Sequence, residues 1–304
     1  MEISYRYTVA GHTFVIAMPE EYDGKECLSQ YSPFSSACGD DVPLMTLRVA
    51  FTDNLRSVAR GELKDIFNDE APFLWLFEDE DKKGGVSRWS FAFSHRKNCP
   101  DCIMTASEDF SEAVVYIPRA CADRFVGFAL NNAIMLQFTF RTCRYETLMV
   151  HASVIVNKGR AYMFLGRSGT GKSTHSRLWL ENIPGSELLN DDNPVVRIVD
   201  GKVLVYGSPW SGKTVCYRNE SAPLGAVVRL SQAPQNRMRK LSTLQAFASL
   251  MPSCSCMRWD SASTEALHRT VEKVVMQTPG WSLECLPDAD AALTCLRNVE
   301  SKSE

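Results

Sequence analysis

The sequence has no long uninterrupted hydrophobic run and no stretch with the features of a signal peptide. Its most apolar segment, Phe125 to Phe140, contains Asn131, Asn132 and Gln137 and is too short to span a bilayer comfortably. The first residues are polar and alternating, with no basic head followed by an apolar core. We therefore expect a cytoplasmic protein without a membrane partner, in which this apolar segment is a buried helix.

A disulfide framework is also missing. The 304 residues include eleven cysteines, an odd number without regular spacing, in a chain too large to depend on disulfides for its core. Cys99 and Cys102 form the one C-x-x-C pair, and a zinc site would need a second pair of ligands. We expect reduced thiols and an ordinary loop at this pair.

Strong charge of either sign is absent, since the formal net charge is −3. Acidic residues predominate up to residue 120 and basic residues after it, which would suit an anionic ligand in the second part. The sequence has no run of Lys and Arg interleaved with aromatic residues, which disfavours nucleic acid as a partner.

Residues 1–120 consist of short alternating segments separated by turn-forming clusters, a pattern that predicts a mostly antiparallel, β-rich domain with one helix over 54–67. We place a domain boundary at 120/121, because helical spacing of apolar residues begins after it. The predicted strands are Ile3–Val9, Thr13–Ala17, Leu44–Phe51, Phe73–Phe77, Val86–Phe93, Ile103–Ala106 and Val114–Ile117.

Residues 121–304 alternate between strand-like and helix-like segments. Tight turns at Asn157–Gly159 and at Asp200-Gly201 each join two strands into a hairpin. The predicted strands are Leu148–Val156, Arg160–Leu165, Glu187–Asp192, Val195–Val199, Val203–Tyr206 and Ala226–Leu230. After the helix predicted at the apolar segment Phe125 to Phe140, the predicted helices are Thr174–Leu180, Leu241–Met251, Thr264–Gln277 and Ala289–Val299.

Residues 166–173, here called the glycine loop, match the full pattern G-x-x-x-x-G-K-[S/T] and follow the apolar run Ala161–Leu165. In such a loop, backbone N–H groups surround a phosphate, the lysine adds a positive charge, and the last hydroxyl can bind Mg²⁺. The strand before and the helix after supply the context that the motif requires. The predicted nucleotide-binding residues are Gly166, Arg167, Ser168, Gly169, Thr170, Gly171, Lys172, Ser173 and Thr174.

Two adjacent carboxylates, Asp191 and Asp192, end a predicted strand shortly after the glycine loop. A strand beside the loop strand could bring them to the phosphates. Neighbouring residues of a strand point to opposite faces, so one carboxylate would bind Mg²⁺ and the other would be available as a base. The segment Asn190–Pro194 is also rich in turn formers, and an ordinary turn is the alternative interpretation.

His151, the glycine loop and Leu188-Leu-Asn-Asp-Asp192 together resemble the catalytic domain of HPr kinase/phosphorylase, which is similar to ATP-dependent phosphoenolpyruvate carboxykinase. The resemblance covers roughly residues 125–300 and includes Gly207–Gly212 and 222–236, which look like a bacterial branch of HPr-kinase-like proteins. It implies a mixed α+β and α/β chain, with a P-loop catalytic domain over 121–304 after a small β-rich domain over 1–120.

The resemblance also implies roles for individual residues. Lys172 would bind the transferring phosphates, and Ser173 and Asp192 would hold Mg²⁺. Asp191 would take the proton from the acceptor hydroxyl, with His151 beside it. The implied reaction is a Mg²⁺-ATP-dependent transfer of the γ-phosphate to a hydroxyl, on a Ser or Thr of a protein or peptide, with ATP and Mg²⁺ as cofactors.

One segment departs from the family. After the aspartates the family has Glu-x-Arg-Gly, whose Glu assists the metal, whereas this chain has Val203-Leu-Val-Tyr-Gly207. The resemblance therefore does not extend to the reverse, phosphorylase reaction or to HPr as the acceptor. Lys213 and Arg218, in and after the loop that begins at Gly207, are further candidates for contacts with the acceptor or the transferred phosphate.

Two alternatives remain open at this point. The acceptor could be a small hydroxyl metabolite, which a closed and mostly polar pocket would favour. The protein could also be a regulator that binds ATP without turnover, which the missing Glu favours. His151, Asp191 and Asp192 together argue against that second alternative, because a pure binding module needs no base.

Overall fold

The computed structural model describes residues 1–301 except 23, 38, 40, 59–61, 68–72, 79–88, 96–99 and 213. The chain is a mixed α/β protein whose strands form two mixed sheets. Its contacts divide it into two compact units, Met1–Arg141 and Thr142–Glu304. Within the described ranges, none of the helices has both the length and the apolar character that crossing a bilayer requires.

The first unit is built on a mixed sheet. Its strands are β1 (Glu2–Val9), β2 (His12–Pro19), β3 (Met45–Thr52), β4 (Glu62–Phe67), β5 (Phe73–Glu78), β6 (Trp89–Ser94), β7 (Cys102–Ala106) and β8 (Glu112–Pro118). Among the described residues they lie in the order β1-β2-β3-β8-β7-β6-β5-β4, and only the β2-β3 and β3-β8 pairs are parallel. The predicted strand Val86–Phe93 lies partly outside the described residues and otherwise coincides with β6. The other predicted strands are confirmed.

The helix predicted over 54–67 is wrong. The described residues there form a short 3₁₀ turn, Leu55–Ser57, and then strand β4, which pairs with β5. Asn54 Oδ1 caps the turn by accepting a hydrogen bond from Arg56 N at 3.1 Å. Pairing with a neighbouring strand thus overrides the local helical pattern, as tertiary context commonly does.

After the short helix α1 (Gly24–Cys27), the long helix α2 (Ala122–Thr142) packs against the first sheet. The buried Gln137 donates to Thr46 O at 3.1 Å, and Arg141 donates to Asp109 Oδ2 at 2.7 Å. Buried polar side chains need such partners, so these bonds fix the helix on the sheet. By its contacts α2 belongs to the first unit, although the predicted domain boundary lies just before it.

The second unit alternates strands and helices. Its strands are β9 (Thr147–Met149), β10 (Ala152–Asn157), β11 (Arg160–Leu165), β12 (Glu187–Asp192), β13 (Val195–Val199), β14 (Lys202–Tyr206), β15 (Ser221–Gln232), β16 (Arg237–Lys240) and β17 (Gly280–Cys285). Its helices are α3 (Lys172–Asn182), α4 (Thr243–Leu250), α5 (Ser261–Gln277) and α6 (Ala289–Glu300). From residue 160 onward the predicted elements are confirmed with shifted boundaries, the largest at β15, whereas β16 and β17 were not predicted.

Strand β15 joins the two halves of the second sheet. Its first residues pair antiparallel with β14, and the rest of it runs parallel to β11 and β17. Alternate residues of β11 belong to two separate apolar clusters. Phe164 lies in one cluster with Trp179 of α3, and Met163 lies in the other with Leu267 of α5. Since alternate strand residues face opposite sides, α3 and α6 cover one face of the sheet and α4 and α5 cover the other.

The strand predicted over Leu148–Val156 is in fact two strands, β9 and β10, which lie in different halves of the sheet. Between them Val150 forms an isolated bridge with Cys254, and His151 N donates to Ser253 O at 2.7 Å. These long-range bonds separate β9 from β10, and His151 therefore lies immediately before β10. A local apolar run could not reveal them.

Gly207 lets the segment after β14 lie against β12. A Cβ atom at this position would overlap Arg218 O and would lie 3.1 Å from Leu189 O. Both obstacles are backbone atoms, which cannot swing aside as the end of a side chain would. Gly207 N also donates to Glu220 O at 3.0 Å, which closes the segment at its base.

We therefore expect Gly207→Ala to lower the free energy of unfolding by about 1–3 kcal/mol, the usual cost of inserting a methyl group into a closely packed site. Urea denaturation followed by circular dichroism measures this change. Gly127→Ala is the matched control, because no atom lies within 4 Å of its added Cβ and alanine favours a helix. If Gly207→Ala and Gly127→Ala left stability equally unchanged, the close approach at Gly207 would not be real.

Candidate active site

Three segments meet at one edge of the second sheet. Strand β10 lies between β11 and β12 and is antiparallel to both, so its start lies beside the ends of its neighbours. In register, Ser153 faces Phe164 on one side and Asp191 on the other. This pairing brings His151, the glycine loop that follows β11, and the pair Asp191 and Asp192 to the same edge.

The glycine loop turns sharply between β11 and α3. Gly169 has φ 77° and Gly171 has φ 105°, conformations that strain any residue with a side chain. Thr170 closes the turn, because its Oγ1 donates to Arg167 O at 2.7 Å and its N donates to the same oxygen at 3.1 Å. Lys172 then opens α3, so the N–H groups of the first helical turn face the loop, where an anion is stabilised.

The Lys172 ammonium lies at the centre of the site. Its Nζ is 2.8 Å from His151 Nε2 and donates to Gly166 O at 3.0 Å. An ammonium only donates, so Nε2 must accept and the imidazole proton must be on Nδ1. Nδ1 lies 3.5 Å from Asp192 Oδ1, in line with that tautomer. Two N–H groups of Lys172 thus have acceptors among the described residues, and the third is available to a ligand.

The pKa values of Lys172 and His151 are both lowered. For His151, burial is the main cause and the Lys172 charge adds to it, while Asp192 and Asp191 act in the opposite direction. For Lys172, burial lowers the pKa, and the same two carboxylates oppose the effect. The lowered pKa of His151 favours the neutral imidazole that the hydrogen bond from the Lys172 ammonium requires, whereas the lowered pKa of Lys172 acts against its positive charge.

Asp191 and Asp192 occupy different environments. Asp191 is only 3% exposed, and its Oδ2 has no hydrogen-bond partner among the described residues. Asp192 is half-buried, accepts from Asn193 Nδ2 at 2.9 Å and has φ 140°, outside the extended region. Because the backbone leaves strand geometry at Asp192, both carboxylates line the same cavity instead of opposite faces of the sheet.

The buried side-chain amide of Asn190 stabilises the turn over residues 190–193. Asn190 Oδ1 accepts from Asn193 N at 3.0 Å, while its Nδ2 donates to Ser208 Oγ at 3.1 Å. Gly212 N donates to Asp191 O at 2.5 Å and holds the following loop against the pair. Asn190 and Ser208 were not predicted as structural supports. The richness of 190–194 in turn formers was the available signal.

These groups surround a cavity of about 460 Å³. Its lining consists of His151, Ser168, Gly169, Gly171, Lys172, Ser173, Thr174, Asp191, Asp192 and Gly212. Most of the predicted site residues therefore lie together, including every residue predicted to act in the reaction or bind a metal. Gly166, Arg167 and Thr170 belong to the same loop, and the Arg167 side chain is exposed.

The donors around this cavity fit Mg²⁺ bound together with phosphates. Within the described part of the chain, no cluster of three or more His, Cys, Asp or Glu side chains could hold a metal ion alone. Mg²⁺ in nucleotide sites needs only one or two carboxylates, because phosphate oxygens and water complete its shell. Asp192 and the Ser173 hydroxyl offer oxygen ligands of this kind, and the unpartnered Asp191 Oδ2 adds a further negative oxygen.

A second cavity of about 540 Å³ adjoins the other side of the glycine loop. Apolar side chains, including Leu178, Leu230 and Leu286, form much of it, and Gln232 Nε2 donates to Gly169 O at 3.3 Å. His175 also lines this cavity. Its volume and apolar walls are typical of small-molecule sites.

His175 is buried, which lowers its pKa to about 4 and keeps the imidazole neutral near pH 7. Its Nε2 accepts from Trp179 Nε1 at 3.1 Å, so the proton is on Nδ1. That Nδ1 has no hydrogen-bond partner among the described residues. His175 was not predicted as a site residue, because a histidine one turn into a helix is more often part of the core.

The structure does not bring Arg218 to the cavity. Its guanidinium donates to Glu187 Oε2 at 2.6 Å and to Glu220 Oε2 at 2.7 Å, near the opposite end of β12 from the aspartates. Local pairing with two carboxylates therefore occupies this side chain. Lys213 lies outside the described residues, as does Cys99. Cys102 is buried, and burial raises the pKa of its thiol.

No protein-family model matches the chain, and no curated protein is significantly similar to it.

The electrostatic coupling in the site predicts that Lys172→Met will raise the pKa of His151. The lysine charge opposes protonation of the neighbouring imidazole, and removing it leaves the attraction of Asp191 and Asp192. A histidine NMR titration of the wild type and the variant measures the change. Lys202→Met, which removes the charge of an exposed lysine on β14, is the control. An unchanged or lower His151 pKa in Lys172→Met would contradict the described contact.

Proposed function

We propose that this protein is a Mg²⁺-ATP-dependent phosphotransferase resembling HPr kinase, which transfers the γ-phosphate to the hydroxyl of a Ser or Thr in a protein or peptide. The observation that carries the proposal is the convergence of the glycine loop, Lys172, His151 and two carboxylates on one cavity. Phosphoryl transfer needs a phosphate cradle, a metal-binding acid and a group to deprotonate the acceptor. In this proposal 121–304 is a P-loop catalytic domain of the phosphoenolpyruvate carboxykinase/HPr kinase type.

The glycine loop binds the phosphates through backbone N–H groups, and Lys172 supplies the compact positive charge. His151 Nε2 and Gly166 O hold the ammonium in the cavity before a nucleotide arrives. The neutral state of His151 matters here, because a protonated imidazole would repel that ammonium. The nucleoside occupies the adjoining cavity, whose lining includes His175 and several apolar side chains.

Asp192 and Ser173 hold the Mg²⁺ that accompanies ATP. When bound, Mg²⁺ neutralises phosphate charge and stabilises charge that develops during transfer. The site needs this neutralisation, because two carboxylates and one lysine leave the cavity with an excess of negative charge near an anionic substrate. The half-buried Asp192, which is oriented by Asn193, is the more accessible of the two acids.

Asp191 acts as the general base. Asp191 lines the cavity, and its buried Oδ2 has no hydrogen-bond partner among the described residues, so this carboxylate is the one proposed to accept a proton from the acceptor hydroxyl. Gly212 N fixes its backbone, and Asn190 next to it fixes the turn. A base that transfers one proton must be held within hydrogen-bond reach of the hydroxyl, and these bonds supply that rigidity.

One feature favours a small hydroxyl metabolite as the alternative acceptor. Asp191 also lines a separate cavity of about 280 Å³ between α3 and β12, together with Ser176, Arg177 and Thr214. This volume is near the lower end of small-molecule sites, and the polar side chains among its lining residues could bind a compact acceptor. A Ser or Thr side chain on an extended peptide would fit the same space.

We expect Asp191→Asn to bind Mg²⁺-ATP with nearly wild-type affinity but to lose transfer by about 100-fold or more, the usual contribution of a general base. The purified protein is incubated with γ-labelled ATP, Mg²⁺ and a lysate of its own cells. Asp200→Asn is the matched control, because Asp200 lies in the β13-β14 turn, away from the site.

The labelled fraction distinguishes the candidate functions. A labelled protein band in the wild type and in Asp200→Asn, but not in Asp191→Asn, supports the proposal. Label in a small molecule selects the metabolite kinase. ATP binding without label in either fraction selects the non-catalytic regulator, and equal transfer by Asp191→Asn would remove this residue from the role of base.

A further inference from the structure

The cavity of about 280 Å³ between α3 and β12 is lined by a hydroxyl residue from a loop of the chain itself. Thr214 borders it together with Asp191, the carboxylate proposed as the general base. Ser173, Thr174 and Asp191 line both this cavity and the one proposed for the phosphates, so the two cavities adjoin at these residues. A hydroxyl in this cavity is therefore close to both the proposed base and the proposed phosphate site.

Thr214 differs from the other hydroxyl residues of this lining. Ser173 and Thr174 lie in the first turn of α3, where the proposed phosphate site holds them. Ser176 is buried, and its Oγ is 2.6 Å from Ser153 Oγ. Thr214 lies outside the helices and strands and is exposed, and its hydroxyl forms no hydrogen bond among the described residues. It is therefore the lining hydroxyl with the freedom to act as an acceptor.

Hydrogen bonds hold the backbone on both sides of Thr214. Before it, Gly212 N donates to Asp191 O at 2.5 Å. After it, Cys216 N donates to Ser211 Oγ at 3.2 Å, which closes the loop. Thr214 is two residues from Gly212, so their Cα atoms are at most about 7 Å apart. These bonds keep Thr214 close to Asp191 of its own chain.

The same cavity has a cation that suits a phosphorylated product. Arg177 is among its lining residues, and its Nε pairs with Glu181 at 3.8 Å. Both side chains of this ion pair are exposed, so the pair is weak. Guanidinium and phosphate form stronger, bidentate hydrogen bonds. A phosphate on Thr214 would thus have a cationic partner at the cavity, which would offset its repulsion from Asp191.

We propose that Thr214 is a phosphorylation site that the protein modifies within its own chain, an inference that rests on the phosphotransferase function proposed above. Thr214 Oγ1 attacks the γ-phosphorus of ATP, and its proton passes to the Asp191 carboxylate. The bond between the γ-phosphorus and the β–γ bridging oxygen breaks, and ADP leaves. The products are phosphothreonine, ADP and a proton that Asp191 releases to water. Attachment to the same chain favours this step, because a positioned acceptor reacts as if highly concentrated.

The test incubates the purified full-length protein with γ-labelled ATP and Mg²⁺ in the absence of lysate. Tandem mass spectrometry then locates the modified residue. Thr214→Val is the test variant, because valine keeps the shape of threonine and lacks its hydroxyl, and Thr214→Ser keeps a hydroxyl. Thr243→Val, at an exposed threonine that begins α4, is the matched control. Labelling is measured at several protein concentrations, and also in a mixture of the wild type with size-tagged Asp191→Asn.

We expect phosphate at residue 214 in the wild type, in Thr243→Val and in Thr214→Ser, and none in Thr214→Val. Asp191→Asn should be labelled about 100-fold more slowly or less, because it lacks the base. The first-order rate constant should not change with protein concentration, and the tagged Asp191→Asn chain should stay unlabelled beside the wild type, since the transfer occurs within one chain.

Phosphate only at another residue, equal labelling of Thr214→Val, or a rate constant that rises with protein concentration would overturn the inference. An unlabelled wild type would overturn it as well. If that wild type still transferred phosphate to a component of the lysate, the proposed function would stand and only the role of Thr214 would fall. Absence of transfer both alone and in lysate would remove the phosphotransferase function too.

Discussion

The register of β10 between β11 and β12 is the constraint on which the site depends. It brings residue 151, the loop after residue 165 and residues 191–192 to one edge of the sheet, although they are far apart in the chain. A slip of one residue in either pairing would turn every side chain of β10 to the other face. The buried contacts of Val154 and Ile155 with opposite apolar clusters make such a slip costly, and so the core fixes the geometry of the polar edge.

The charges at that edge influence one another without a direct hydrogen bond between Lys172 and either carboxylate among the described residues. Lys172 is held by two neutral acceptors, His151 Nε2 and Gly166 O, rather than by a direct bond to either carboxylate. Its charge is therefore available to an anion, while Asp191 and Asp192 are available to a cation or a proton. In the proposed function, a metal-bound phosphate would meet both requirements at once.

Locally encoded features were predictable, and features that depend on distant partners were not. The glycine loop and the turns at 157–159 and 200–201 follow from residues that adopt positive φ, so the sequence alone located them. The helix predicted over 54–67 failed because β4 pairs with a strand that the local pattern cannot reveal. The break at His151 depends on bonds to residues 253 and 254, and Arg218 is held by Glu187 of β12. Neither partner is apparent from residue spacing.

The most direct test of this account is a calorimetric titration of Mg²⁺-ATP into the wild type and into Lys172→Ala, with Lys202→Ala as the control for a lost surface charge. The account predicts binding by the wild type and the control, and a loss of at least roughly tenfold in affinity for Lys172→Ala, since a charge-assisted contact to phosphate is removed. Equal affinity in all three proteins, or no binding by the wild type, would contradict the claim that this edge of the sheet is a nucleotide phosphate site.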